Sequence, residues 1–317
     1  MVKRTQQQVT LTQAIDGYLI AARARRMSEE TLANYCQGFR HLLNHLQADP
    51  PIARITSSDI SAFLAGLTWL TPKSVRNYHT ACAALWTWAL AEGLVPRHVI
   101  HDVQPPRPAH REIQPYTQAD VRAMLQTLDR SRPYTRPGKR ACDNARPSAL
   151  RDRAIILLLL DTGIRASELC DLRMATVDLK NARVTVTGKG SRERTVPVSP
   201  RTSQALWRYL ATRPDKASAV AALFVTSLGE IAAPLTRDVL RRLLNRIGLR
   251  AGLHGVNVHR FRHTCAIQAL RNGMNVFALQ RLLGHSTLDM VRRYLAIAET
   301  DVAAAHRDAS PVMNWVL

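Results

Sequence analysis

Short stretches of this chain hold side chains suited to one negatively charged centre. "DTGIRASEL" places Arg165 just after Gly163, in the expected first turn of a helix. Unpaired N–H groups at such a start favour an anion, and a guanidinium there can fork onto two phosphate oxygens. "VTGKGSRERTVPV" sets Lys189 between two glycines at an expected hairpin tip. Glycine lets the turn take positive φ and lets the long side chain swing toward a partner. "HRFRHT" spaces His259 and Arg262 three apart, one helical turn, so that both can meet the same anion. In "LLGHSTLDMVRRYL", His285 follows Gly284, Ser286 can cap the next helix, and Tyr294 comes nine residues after the histidine.

Taken singly, each residue has a plainer reading: Arg165 on the surface, HxxR by chance, Lys189 as a solubilising turn residue, Tyr294 as packing. Together they form a set. Two arginines and two histidines can neutralise and hydrogen-bond the phosphorane made when a nucleophile attacks phosphorus. A tyrosine hydroxyl can be that nucleophile, leaving a phosphotyrosyl intermediate. A lysine or histidine can protonate the departing oxygen. There is no carboxylate cluster for magnesium and no GxxxxGK[ST] for a nucleotide, so no cofactor and no metal are expected.

The elements that must carry these groups read as mostly helical. Apolar residues recur at three- and four-residue spacing in "LTQAIDGYLIAARAR" and "EETLANYCQGFRHLLNHL", with Ser28 as a cap for the second. "TPKSVRNYHTACAALWTWALAEG" starts at Thr71 and Pro72 and stops at Gly93. Lys73, Arg76 and His79 share one of its faces, either a solvated face or a DNA contact. Residues 101–115 carry four prolines and no periodicity, which reads as a linker. Thr117 caps the next helix, and an Arg/Pro-rich stretch at 130–148 is either a phosphate-touching loop or an unimportant insertion. "LRDRAIILLLLDTG" is a buried helix ended by Gly163, and the "GKG" segment joins two strands. "TRDVLRRLLNRIGLR" sets Arg242, Arg246 and Arg250 opposite Val239, Leu243 and Ile247. That pattern fits a helix packed on a core while facing phosphates, and equally a solvated face. On the last helix Leu288, Val291 and Leu295 form the expected buried stripe. Tyr294 lies beside it with Met290, so its hydroxyl should reach a pocket at the domain surface.

The 317 residues suffice for two domains. Lys plus Arg outnumber Asp plus Glu 44 to 24, a net +20, which points to nucleic acid more than to an anionic membrane. No apolar run reaches spanning length and no signal peptide is evident, so a cytoplasmic protein is expected. The five cysteines contain no CxxC and read as reduced core thiols.

The ordered set Arg, Lys, HxxR, His, Tyr resembles the tyrosine recombinase (phage integrase) family, mechanistic relatives of type IB topoisomerases. Arg262 and His285 are 23 apart and Tyr294 follows nine later, as in that family. The resemblance covers most of the chain. It implies a mainly α, two-domain protein: a helical core-binding domain at 1–100, a linker at 101–115, and an α+β catalytic domain with a small antiparallel sheet at 116–317. It also implies roles. Arg165 and Arg262 would clamp the scissile phosphate, His285 would hydrogen-bond it, and Lys189 would be the general acid. His259 would assist proton transfer, Tyr294 would attack, and Glu168 would orient Arg165 unless it is an ordinary surface partner. Lys73, Arg76, Arg242, Arg246 and Arg250 would contact DNA. Phe261 and Cys265 depart from common family residues and read as packing changes. The implied activity is site-specific cutting and rejoining of duplex DNA at paired inverted-repeat sites, by a tetramer in synapsis, with no membrane or small-molecule partner. The tail containing Trp315 would dock on a neighbouring protomer or be disordered. Rival readings are a relaxing topoisomerase without site preference and a non-catalytic DNA-binding accessory protein.

Overall fold

Polar caps decide where the first helices begin. Thr10, Ser28, Thr56 and Thr71 each accept a hydrogen bond from the backbone N–H three residues on, satisfying donors that a helix start leaves open. They start α1 (Leu11–Ala24), α2 (Glu29–Leu46), α3 (Ser57–Gly66) and α4 (Pro72–Ala91). The computed structural model describes residues 9–107, 114–129, 146–188, 192–213, 221–228, 231–285, 287–298, 306 and 310–314. The chain divides into two compact units, Met1–Arg111 and Glu112–Leu317.

In the first unit, Phe39, Phe63, Leu85 and Trp86 form the centre of the core. Lys73 and Arg76 are exposed on α4, away from buried Val75, Cys82, Leu85 and Ala89. His79 does not stand free beside them: it is half-buried, with Nε2 2.8 Å from the Val103 carbonyl oxygen. The expected linker also begins later than residue 101. A 3-10 turn at Val99–Asp102 and the buried Val103 belong to this core, because Ile100 and Val103 supply apolar surface that the proline count conceals.

The second unit surrounds α6 (Ala149–Thr162). Ala154, Ile155, Ile156, Leu158 and Leu159 are wholly buried, as a run apolar on every side requires. Asp152 at its start is also buried, and Arg146 and Arg151 neutralise it at 2.9 and 2.7 Å. Against α6 pack α8 (Pro200–Ala211) and α10 (Val258–Arg271); the unit also holds α5 (Gln118–Gln126), α7 (Ala166–Cys170), α9 (Arg237–Arg250), α11 (Val276–Leu283), α12 (Asp289–Ala298), which packs on α10, and a short helix Pro311–Asn314. Strands β1 (Val177–Asp178), β2 (Arg183–Thr187) and β3 (Glu193–Pro197) make an antiparallel sheet in the order β1-β2-β3. A second hairpin pairs β4 (Val225–Leu228) with β5 (Ile231–Pro234); its strands are too short to announce themselves in the sequence. Among the described residues no helix is long and apolar enough to cross a membrane, and Cys36, Cys82, Cys170 and Cys265 are free thiols.

Gly163 ends α6 in the left-handed region, at φ +61°. A Cβ there would stand 2.7 Å from Leu283 Cδ2 and 3.2 Å from Cys265 Sγ. Gly163→Ala therefore combines a left-handed penalty of about 1–2 kcal/mol with overpacking between α6, α10 and α11. Urea unfolding should show a loss of stability of at least that size; an unchanged midpoint would contradict the close approach.

Candidate active site

Glu168 is the hub of the site. It lies on the first turn of α7, only 2% exposed. Its carboxylate accepts from Arg165 Nη1 at 2.8 Å and from the Arg165 backbone N–H at 2.8 Å. On its other side Arg194 of β3 forks onto both oxygens, Nη1 at 2.8 Å and Nη2 at 2.9 Å. Burial alone would raise the pKa of Glu168, but the Arg194 hydrogen bonds, the Arg165 N–H, the Arg194 charge and the Arg165 side-chain bond together hold it down to about 2. The Arg165 N–H at this helix start is thus already taken, and Arg165 contributes through its side chain.

The second anchor is the end of α11. Three successive carbonyls there accept from three different arginines: Leu282 from Arg194 Nε at 3.0 Å, Leu283 from Arg262 Nη2 at 2.7 Å, and Gly284 from Arg165 Nη2 at 3.2 Å. Helix C-termini leave such carbonyls open and carry partial negative charge. Arg262, 4% exposed, also donates Nη1 to the Gly163 carbonyl at 2.8 Å. Burial, then the neighbouring Arg165, lowers its pKa to about 10, so it stays charged at neutral pH. Gly284 closes α11 at φ +63°, and a Cβ there would lie 2.9 Å from Arg194 Nη1.

Against this cluster of cations sits Tyr294, 3% exposed, packed with Ala266, Ile267, Leu270, Leu279, Leu283 and Val291. Its hydroxyl oxygen is 2.9 Å from His263 Nδ1. The His285 ring stacks parallel to the phenol, 6.3 Å between centroids at 16°. Burial, then the charges of Arg262, Arg165 and Arg194, pushes His285 down to about 4; it is neutral at neutral pH. Its Nδ1 is buried with no hydrogen-bond partner among the described residues. Burial raises the Tyr294 pKa above its usual 10.0, offset in part by Arg262. The cluster can bind an oxyanion: fixed guanidiniums, a neutral imidazole with an open ring nitrogen, and a phenol at its edge.

The family model described as the phage integrase family matches residues 117–301, and that of the phage integrase N-terminal SAM-like domain matches 15–93. The chain belongs to the phage integrase family of tyrosine recombinases. It is 30% identical over 305 residues to tyrosine recombinase XerD of Mycobacterium tuberculosis, covering 91% of this chain and 94% of the relative. Tyrosine recombinase XerC of a Mycobacterium species (strain JLS) is also 30% identical, over 94% and 97% of the two chains. Among solved structures, the Tn1549 transposon integrase in complex with a circular intermediate DNA superposes with a TM-score of 0.73 at 21% identity, covering 93% and 98%. A lambda integrase dimer bound to a core site gives 0.70 at 19%, over 90% and 77%. The mainly helical two-part fold with small antiparallel sheets is that of the family.

In this tyrosine recombinase the structure brings Arg165, Arg262, His285, Tyr294 and Glu168 together. His259 lies on the first turn of α10, exposed, one turn before His263. Lys189 and Ser286 lie outside the described residues, as do Trp315 and 130–145 of the Arg/Pro-rich stretch; Arg146 holds Asp152. Glu168 is no surface partner. The expected position of Tyr294 beside the buried stripe is corrected: its ring is interior with Val291, while Leu288 and Leu295 are half-buried, because α12 packs on α10 through the tyrosine's own face. Arg242 and Arg246 are exposed on α9, and Arg250 is half-buried with partners of its own. Two residues escaped the sequence reading. Arg194 pairs across β2–β3 with Val186, on the same face as Val184 and Val196; a charge at a core-facing strand position was the available signal. His263 follows Arg262 directly, and only the packing of α12 gives it a partner.

Glu168→Gln leaves its guanidiniums without their counter-charge, and breaking a buried pair costs about 3–5 kcal/mol. The folded carboxyl titrates near 2 and an unperturbed one near 4.5. Its contribution is therefore full above about 4.5 and lost as pH falls toward 2. Urea unfolding of wild type and variant should differ by a constant amount from pH 8 to 5 and converge below; a gap that widens in acid would refute this.

Proposed function

We propose that this chain cuts and rejoins duplex DNA at specific sites through a 3′ phosphotyrosine on Tyr294. The observation that carries the reading is the convergence of Arg165, Arg262 and His285 from distant stretches onto the surroundings of one phenol. Tyr294 Oη attacks the scissile phosphorus. The new P–O bond forms as the bond to the 5′ oxygen breaks, and Lys189 protonates that oxygen. Arg165 and Arg262 clamp the two non-bridging oxygens, and His285 donates a hydrogen bond to one of them. His259 assists proton transfer. Attack by a 5′ hydroxyl reverses the step, so the bond energy is kept. The phenol is buried, so the reading requires a rearrangement that brings the phosphate and the hydroxyl together.

The partner is double-stranded DNA carrying paired inverted-repeat sites, met by both units in the cytoplasm. The net charge of +20 and the exposed Lys73, Arg76, Arg242 and Arg246 support this, with Arg250 at the border of the same face. Assembly on DNA is part of the reading: a lambda integrase is known as a tetramer bound to a Holliday junction. The chain end supports it too, since Val312 and Met313 are 71% and 70% exposed on the short terminal helix, an apolar pair for a second copy to cover. Neither rival reading, relaxation without site exchange or binding without catalysis, has an observation in its favour.

Tyr294→Phe should keep DNA affinity and lose the covalent adduct that wild type forms on nicked suicide duplexes, built from inverted repeats sought by sequencing the DNA that flanks the gene and read on denaturing gels. An adduct in that variant would refute the assignment. Arg242→Ala with Arg246→Ala should weaken binding alike for all sequences and lower the slope of log affinity against log salt by about 2. An unchanged slope would remove α9 from the DNA-binding surface.

A further inference from the structure

Tyr294 must lose a proton to attack, and its surroundings work against spontaneous loss. The phenol is buried, and burial outweighs the field of Arg262, so its pKa stands above the usual 10.0. A proton acceptor in contact with the oxygen is then needed. Among the described residues the hydrogen-bond partner recorded for Tyr294 Oη is His263 Nδ1, at 2.9 Å, with the rings tilted by 53°. The other histidine near the phenol, His285, lies nearly parallel to it with the ring centroids 6.3 Å apart, and among the described residues its Nδ1 has no hydrogen-bond partner. The packing of Val291 and Tyr294 against Ala266, Ile267 and Leu270 fixes the register of α12 on α10 and holds the contact in place.

We propose that His263 is the general base of the reaction: it takes the Tyr294 proton as the phenol attacks phosphorus and returns it when the strand is rejoined. The proposal rests on Tyr294 being the nucleophile. In the forward step the Oη–H bond breaks and an Nδ1–H bond forms on His263. The Oη–P bond forms, the P–O5′ bond breaks, and the 5′ oxygen takes a proton from the general acid. In the reverse step the incoming 5′ hydroxyl gives its proton back to that acid. The tyrosine oxygen leaves phosphorus and recovers its own from Nδ1, so no proton is gained or lost. The required form of His263 is the neutral ring with Nδ1 bare and the proton on Nε2. Burial, then the neighbouring His259 and Arg262, lowers its pKa below the usual 6.5, which keeps the ring neutral at physiological pH. The two histidines then divide the work: His263 accepts from the nucleophile while His285 keeps a ring nitrogen for the phosphate.

The test measures single-turnover adduct formation by the full chain on the same suicide duplexes. Tyrosine or the more acidic 3,5-difluorotyrosine stands at position 294, in wild-type and His263→Gln backgrounds. With tyrosine, His263→Gln should slow the adduct about 10²- to 10³-fold at unchanged DNA affinity. With the acidic phenol most of that loss should be recovered, because a weaker base is then enough. A variant within threefold of wild type would overturn the proposal, and so would an equal loss with both phenols, since that would mean His263 only orients the ring. If Tyr294→Phe keeps the adduct that wild type forms, the nucleophile assignment itself fails and the base falls with it. Should His263→Gln not fold, nitrogen NMR of histidine-labelled wild type decides. The histidine signal that moves in Tyr294→Phe should show a bare Nδ1 accepting a hydrogen bond, and a protonated Nδ1 donating to the phenol would refute the proposal.

Discussion

One buried carboxylate lets three guanidiniums share a small volume. Arg165, Arg194 and Arg262 come from a helix start, a strand and the middle of a helix, and like charges at such range repel strongly in a low-dielectric interior. Glu168 binds two of them directly. The open carbonyls at the end of α11 supply the remaining negative potential, one to each arginine. The arrangement holds positive charge in excess of its counter-charge, as an oxyanion site requires. It also ties α6, α7, β3, α10 and α11 to one point, so that the charge balance and the packing of the catalytic unit are one problem.

The phenol is placed by apolar contacts. Tyr294 is held in the small α10–α11–α12 cluster, and the same burial that orders its ring removes water from around the hydroxyl. Desolvation makes the phenol harder to ionise and each nearby charge more effective. It also keeps both histidines neutral, His263 through burial and His259, His285 through burial and the arginines. Two chemically identical rings thereby stand in different relations to the tyrosine: one touches its oxygen, the other lies parallel to its ring.

Two glycines make the close approach possible. Gly163 and Gly284 both sit at left-handed helix ends, and both carbonyls accept from arginines of the site. A side chain at either would collide with Leu283 or with Arg194. The "DTG" before Arg165 and the "LLG" before His285 are thus the hinges that turn the chain so the arginine and the histidine face one volume.

Local chemistry was readable along the chain. Caps at Ser28, Thr71 and Thr117 mark helix starts, and the strand–GKG–strand pattern and the Arg, HxxR, His, Tyr order stand in plain view, because each depends on neighbours within a few residues. Long-range burial was not readable. The helical pattern of α12 left Tyr294 at the margin of its apolar stripe, and only the packing of α10 moved the margin inward. Nothing near Glu168 in the chain announces Arg194, 26 residues away, and nothing near Tyr294 announces His263, 31 residues before it. Residue types and spacing name the chemistry available to the chain. Which carboxylate is buried, which ring nitrogen touches the phenol and which cations share a field depend on three-dimensional contact, since burial and Coulomb energy follow distance in space.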